Sequence, residues 1–566
     1  MTHSVPSAVP AHSAGLAVHV RALLDEAVRI YRGRPGGSTL TSVAAHLDGP
    51  LRVAIAGRVK AGKSTLLNAL VGTRIAATDA GECTRVVTWY QHAAAASATA
   101  FGRVGPPAGL RLEHSERGWT LDLGGRAPEE VDRVEVGLPS PPLLTMTLID
   151  TPGLGSLTES AGRRTEEFLD ESGQVDAVLY LLRHLHASDV DFLDAFDDTA
   201  PGRSGPVHAV GVLSRADELG GGAPDALDHA ARAAAGYRSD PRLRTLVYTV
   251  LPVAGLLAEA AAALTAADLA DLLALADAGP AATAALVLSA TRFALPYNAV
   301  PVPPAARRRL LGMLGLFGVR LCLALIRDGV RTPEALRAAL HDRSGLTELR
   351  TLLLSQFAER RDVLKADGAL RAVENVARLD PIPGAHRLLQ EVERIRGGAH
   401  ELAELRLLGE LRLGAVPARP GQVADMERLL GGQGTAPATR LGLGPGSSPE
   451  AALTLLTGLH RDWTRVAQDR LTEPGLARAA RVLQRTCEGL VAQVRGGAEL
   501  VVSGSPVQGG AGLVASGAPV QGGAGLVASG SPVQGGADLA ASGSPTGRET
   551  DRSPGESGPG YMGGPA

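Results

Sequence analysis

The stretch that most constrains this chain is Gly57-Arg-Val-Lys-Ala-Gly-Lys-Ser-Thr65. It fits the pattern G-x-x-x-x-G-K-[ST]. A glycine turn there joins a strand to a helix, and free backbone N–H groups and the helix dipole face an anion. The flanks agree: Leu51–Ala56 reads as a buried strand and Ser64–Val71 as a helix. Gly57, Lys60, Ala61, Gly62, Lys63, Ser64 and Thr65 are therefore candidate phosphate-binding residues. Lys63 would reach the β- and γ-phosphates, and the Ser64 hydroxyl would hold Mg2+. The chain has 56 Lys+Arg but only three lysines, Lys60, Lys63 and Lys365. Two of the three lie in this loop, which suits a site needing a compact ammonium rather than a planar guanidinium.

Three more segments fall in the order a nucleotide site requires. Leu148-Ile-Asp-Thr-Pro-Gly153 is a strand ending in D-x-x-G, where Asp150 would hold the metal through water and the Gly153 N–H would sense the γ-phosphate. Ser214-Arg215-Ala-Asp217 follows the apolar run Val207–Leu213 and stands where [NT]-K-x-D reads guanine. A carboxylate at Asp217 can accept from both guanine N1–H and the 2-amino group, a donor pair that adenine lacks. Arg215 takes the place of the usual lysine over the base and can stack there. Val253 and Ala254, after the strand Thr245–Leu251, fit a weak base-contacting loop. Between the first two motifs, Thr84 is the candidate that ligates Mg2+ and orders over the γ-phosphate, with Thr78 and Thr88 as alternatives.

At 566 residues the chain exceeds one ordinary domain. Residues 51–254 alternate strand and helix signals, which predicts an α/β domain with a mostly parallel sheet and its ligand at the carboxyl ends of the strands. Strands are expected at 52–56, 85–91, 132–137, 143–149, 176–182, 207–213 and 246–251. Helices are expected near 64–71, 158–171, 188–197, 225–235 and after 255. Before this domain, 14–50 carries an amphipathic helix that needs a later helix as its partner. After it, 255–413 reads as a helical bundle, 414–449 as a flexible connection and 450–497 as two helices broken near Pro474. Residues 1–13 and 498–566 are expected to be disordered. The tail repeats a Gly/Ser/Pro-rich unit of 13 residues whose sparse Val and Leu cannot offset ordering entropy.

A net charge of −3 gives no basic balance toward nucleic acid, and three scattered cysteines make neither a disulfide framework nor a zinc site. With no basic region leading into an apolar run at the N-terminus, a cytoplasmic protein is expected. No transmembrane helix is expected. The best membrane candidate is the apolar stretch Leu310–Ile326 behind Arg307-Arg308-Arg309, a basic cluster suited to anionic lipid; the blander reading is a buried bundle helix containing Arg320.

Together the glycine loop with Leu66–Gly72, Cys83-Thr-Arg85, Val86–Tyr90, Leu148–Gly153 and Leu213–Asp217 resemble a bacterial dynamin-like GTPase, and actinobacterial members such as the isoniazid-inducible proteins in particular. The resemblance is specific over 51–255 and looser elsewhere in 15–400. It implies a GTPase head on a helical neck and stalk, Mg2+-dependent hydrolysis of GTP to GDP, self-association, and peripheral contact with the inner face of the membrane. Neither a hydrophobic paddle nor a pair of membrane helices is evident. The loop Arg183–Asp189 would contribute to contacts between two heads. Leu154 and Gly155 follow Gly153, so the water-positioning glutamine of Ras-type enzymes is absent. In the related guanylate-binding proteins an arginine at the position of Lys60 acts as an internal finger, which makes Lys60 the candidate catalytic cation and Arg58 its neighbouring alternative. Two other classes fit the motifs: a GTP-binding switch with negligible turnover, and an Era-like assembly GTPase, which would want a basic RNA-binding appendage.

Overall fold

The computed structural model describes residues 11–75, 86–102, 105–115, 118–152, 175–198, 208–296, 300–444 and 447–496. Its sheet comprises β1 (Leu51–Gly57), β2 (Val87–His92), β3 (Ser97–Gly102), β4 (Ala108–Gly109), β7 (Val131–Leu138), β8 (Met146–Asp150), β9 (Ala177–Leu182), β10 (Ala209–Ser214) and β11 (Val250–Val253), in the order β11-β10-β9-β1-β8-β2-β7-β3-β4. The run from β11 to β8 is all parallel, β2 turns antiparallel to β8, and β7 runs parallel to β2. A hairpin of β5 (Arg111–Ser115) and β6 (Gly118–Asp122) stands apart.

Register brings the motifs to one edge. Gly57 pairs with Leu181, Ile55 with Asp150 and Ser214 with Val253, so each chemistry-bearing residue leaves its strand at the carboxyl end. Side-chain alternation divides the strands between two cores. Val53 and Ile55 of β1 face one apolar cluster, while Ala54 and Ala56 face the other.

The helices labelled here are α1 (Ala11–Ile30), α2 (Pro35–His46), α3 (Lys63–Val71), α4 (Ala187–Asp198), α5 (Ala226–Ser239), α6 (Gly255–Ala263), α7 (Ala266–Asp277), α8 (Pro304–Arg327), α9 (Pro333–Arg343), α10 (Leu346–Leu352), α11 (Arg361–Leu379), α12 (Ala385–Gly398), α13 (His400–Arg412), α14 (Pro420–Leu429), α15 (Pro437–Leu441), α16 (Pro449–Gln468) and α17 (Pro474–Arg495). The amphipathic helix expected near the start finds its later partners: Leu16, Val20, Leu24 and Ala27 of α1 share a core with Leu370 and Val373 of α11 and Leu388 and Val392 of α12.

This neck joins the sheet through buried polar contacts. Lys365 Nζ donates to the carbonyls of His46 (2.6 Å) and Gly49 (2.5 Å), and His46 Nε2 meets Asp176 at 2.8 Å. Asp176 also accepts from the Arg52 N–H at 2.7 Å.

Several expectations shift. The strand expected at 143–149 begins only at Met146, because Pro141–Leu144 forms a 3-10 turn; the last strand is Val250–Val253 rather than 246–251. The strand β3, the short edge strand β4 and the β5–β6 hairpin depart from the expected strands. Residues 414–449, expected to be a flexible connection, hold α14 and α15 instead. Met426, Leu429, Leu430 and Leu441 bury themselves in the core of α13, α16 and α17, a yield of apolar surface that the intervening Gly and Pro obscure in sequence. The helix expected at 158–171 and the tail lie outside the described residues.

Of the two readings of 307–326, the structure favours the buried bundle helix over the lipid-facing one. α8 is the one helix among the described residues long and apolar enough to cross a membrane, yet half of its apolar stretch is buried. Leu310, Leu314, Phe317 and Leu323 pack beside α6, α7 and α9. Arg307 is fully buried and donates to the carbonyls of Val302, Phe293 and Leu295, while Arg309 pairs with Asp268 and Asp271. Two of the three expected lipid ligands are thus consumed internally.

Candidate nucleotide site

Gly57 ends β1 with φ 142°, and a β-carbon there would stand 2.5 Å from the Leu181 carbonyl oxygen, so the loop can leave the sheet here only as glycine. The Ala61 N–H closes a turn onto the Arg58 carbonyl at 3.1 Å. Gly62, at φ 96°, precedes α3 with no side-chain cap, and a β-carbon on it would meet nothing within 4 Å. The first N–H groups of α3, from Lys63, Ser64 and Thr65, therefore face an open cradle. Lys63 lies back across the loop, its Nζ donating to the carbonyls of Gly57 (3.1 Å) and Arg58 (3.3 Å). Burial lowers its pKa and the Asp150 carboxylate opposes that shift. Lys60 sits at the loop's tip, exposed, in the left-handed region at φ 63°.

Asp150 ends β8 beside this cradle. Burial pushes its carboxyl up to about 6, against the pull of Lys63 and a hydrogen bond from Ser64. Its Oδ1 is buried with no hydrogen-bond partner. A serine hydroxyl and a carboxylate with one orphaned oxygen are hard-oxygen donors of the kind Mg2+ takes. Mg2+ usually keeps several waters and is bound through one or two protein groups plus phosphate oxygens, so an ion at Ser64 and Asp150 would share its coordination with a ligand such as phosphate. Thr84, its alternative Thr78, and Gly153 lie outside the described residues. The other alternative, Thr88, is buried in β2 opposite Asp150, and its hydroxyl donates to the Val86 carbonyl at 3.2 Å.

The base-reading segment leaves β10. The buried Ser214 hydroxyl donates to the Leu182 carbonyl at 3.2 Å. Arg215 turns left-handed at φ 53°, which swings Asp217 inward; Asp217 is 6% exposed, and burial raises its pKa. It lines a cavity of ≈ 140 Å³ together with Gly62 and Thr65 on one side and Val253, Gly255 and Leu256 on the other. Sequence reasoning missed Glu218, which lines the same cavity and accepts from Arg215 (2.6 Å) and Arg183 (2.8 Å). No motif marks it; only its following Asp217 could have pointed to it. Ala254, an expected base contact, is not brought to the cavity. It is fully buried, and its N–H donates to the Ser344 carbonyl at 2.8 Å, because left-handed Gly345 lets that chain press against Pro252.

The family model described as 50S ribosome-binding GTPase matches residues 52–200. The isoniazid-induced protein IniC of Mycobacterium tuberculosis is 37% identical over 484 residues, covering 84% of this chain and 98% of that protein. The isoniazid-induced protein IniA of the same organism is 39% identical over 140 residues, 23% of this chain and 21% of its own. A solved structure of an oligomerised bacterial dynamin pair aligns over 87% of this chain and 77% of its own at 13% identity with a TM-score of 0.25. On the similarity to IniC over 84% of this chain and the GTPase-domain match, this chain belongs to the bacterial dynamin-like GTPases.

Proposed function

We propose that this GTPase hydrolyses GTP to GDP and phosphate with Mg2+, and couples the cycle to head-to-head self-association. The observation that carries the reading is the convergence at one sheet edge of three parts: the uncapped N-terminus of α3, the Ser64–Asp150 pair with its orphaned oxygen, and Asp217 in the adjoining cavity. In this reading Lys63 exchanges its two loop carbonyls for the β- and γ-phosphates. Ser64 and Asp150 would hold the ion. Asp217 accepts from the guanine edge, and Arg215, held by Glu218, flanks the ring. When bound, Mg2+ would neutralise charge on the β- and γ-oxygens. Thr84 and Gly153 are assigned the closing contacts at the γ-phosphate.

Self-association is assigned to Arg183–Asp189. Arg183 to Ser188 are exposed or half-buried beside the base-reading segment, and Arg183 shares Glu218 with Arg215, so a second head docking there would bear on the base site. Peripheral contact with an anionic membrane is the remaining part of the proposal, and it would use a surface other than Arg307 and Arg309, which are internally paired.

The test is the specific GTPase activity as a function of protein concentration, with and without anionic liposomes. Activity that rises with concentration supports a hydrolase driven by dimerisation, and a further rise with liposomes supports the membrane contact. A flat, near-zero rate would instead make the chain a GTP-holding switch.

A further inference from the structure

Arg320 is the one charged residue between Leu310 and Ile326, and the chemistry above gives it no task. We propose that it is a positioning residue for guanine recognition: its guanidinium fixes the far end of the loop that carries Asp217. The inference rests on the assignment of Asp217 as the guanine-reading carboxylate.

The loop holds itself only in part. After Asp217 and Glu218 the chain passes through Gly220, Gly221 and Gly222, all left-handed at φ 61°, 72° and 66°. The Gly222 N–H turns back onto the carbonyls of Glu218 (3.3 Å) and Leu219 (3.2 Å), but three successive glycines impose little preference of their own. α8 adds a hold from outside. Arg320 Nη1 donates to the Gly222 carbonyl, while Nε (2.9 Å) and Nη2 (2.6 Å) both hold the Val287 carbonyl. A single planar fork therefore ties the loop end to a neighbouring turn, a geometry an ammonium cannot reproduce.

The same helix also reaches the reading end. α8 breaks at Gly315 (φ 64°, ψ 176°), a conformation open essentially to glycine alone. A β-carbon on Gly315 would stand 3.9 Å from Asp217 Oδ2 and 3.2 Å from Leu256, a residue of the cavity wall. The break thus lets helix backbone come up against the carboxylate, while Arg320, farther along, secures Gly222. Two contacts from one helix bracket the loop, and α8 acts as its template. An arginine bonded to backbone carbonyls within the apolar run Leu310–Ile326 is explained by that task.

The experiment measures GTP, ITP and ATP affinities of the full chain by calorimetry, alongside Tm, for wild type, Arg320→Met and Arg320→Lys. ITP lacks the 2-amino group. In Arg320→Met, GTP affinity should fall about tenfold, the order of one lost hydrogen bond's worth of fixation. The GTP-to-ITP preference should shrink toward one, because a loosened Asp217 cannot hold both donors. Arg320→Lys, which can reach one carbonyl but not both, should lie between. A lowered Tm with the wild-type GTP-to-ITP ratio in both variants would make Arg320 merely structural and overturn the inference. Should Arg320→Met not fold, a wild-type ratio in Arg320→Lys overturns it equally. Wild-type protein that binds ATP as tightly as GTP would instead overturn the guanine assignment itself.

Discussion

Replacing Lys60 with glycine separates what the backbone needs from what the side chain does. Lys60 and Arg215 are the two non-glycine residues with positive φ among those described. A left-handed conformation costs a residue with a β-carbon about 1–2 kcal/mol. Nothing in the structure offsets that for Lys60, whose exposed side chain makes no hydrogen bond or ion pair among the described residues. Glycine removes the strain but adds about 0.4–1 kcal/mol of unfolded-chain entropy, so Lys60→Gly should stabilise the nucleotide-free protein by about 0.5–1 kcal/mol. That is a rise in Tm of about 1–2 °C for a chain of this size. Lys60→Ala keeps the strain and should leave Tm nearly unchanged. If the ammonium swings onto the β–γ bridging oxygen, both variants lose it equally. GTP affinity should then stay within about a few-fold while single-turnover hydrolysis falls at least about tenfold, ~1.4 kcal/mol of barrier, where complete arginine fingers are worth about 10³–10⁵. Rapid-quench single turnovers and thermal melts on the same preparations supply both readouts. Wild-type hydrolysis by both variants would refute the assignment and leave the charge to a bound monovalent cation or to the partner head. Destabilisation by Lys60→Gly would refute the strain argument alone.

Asp217→Asn should weaken GTP binding and admit xanthine nucleotides, whose 2-oxo group pairs with the amide; unchanged GTP affinity in calorimetry would sink that role. In light scattering, a GTP transition-state mimic should convert monomers to head-to-head dimers, and Arg183→Glu should prevent it; monomers in every nucleotide state would remove the dimer from the mechanism. Glu404 accepts from Arg440 (2.6 Å) and Thr486 (2.7 Å), and although burial opposes them, its partners hold its carboxyl at about 2, below the ordinary 4.5. A depressed carboxylate contributes stability that is complete above pH 4.5 and lost as pH falls toward 2, here about 3 kcal/mol. The Tm gap between wild type and Glu404→Gln should therefore close over that window, and a gap independent of pH would contradict the pairing.

The parts of the site that are local in the chain were legible from sequence. A glycine loop with lysine and serine at fixed offsets, an aspartate ending an apolar strand, and an aspartate after another such strand each need only neighbours in sequence, because strand ends and helix starts present them. The alternating strands and helices of 51–254 and the need of α1 for a later helical partner were readable for the same reason: periodicity reports which face must be buried. Tertiary contacts decided the rest. The Arg307 cluster leaves a lipid site and a buried helix both open in sequence until Asp268, Asp271 and three backbone carbonyls claim it. Residues 414–449 read as a linker because their glycines and prolines are local, while the core that buries Met426 and Leu429 is built from α13, α16 and α17. Ala254 gives its N–H to Ser344, 90 residues later, and Arg320 reaches Gly222, 98 residues earlier. Hydrogen-bond partners at such separations leave no period and no spacing in the sequence; the closed fold alone brings them within reach.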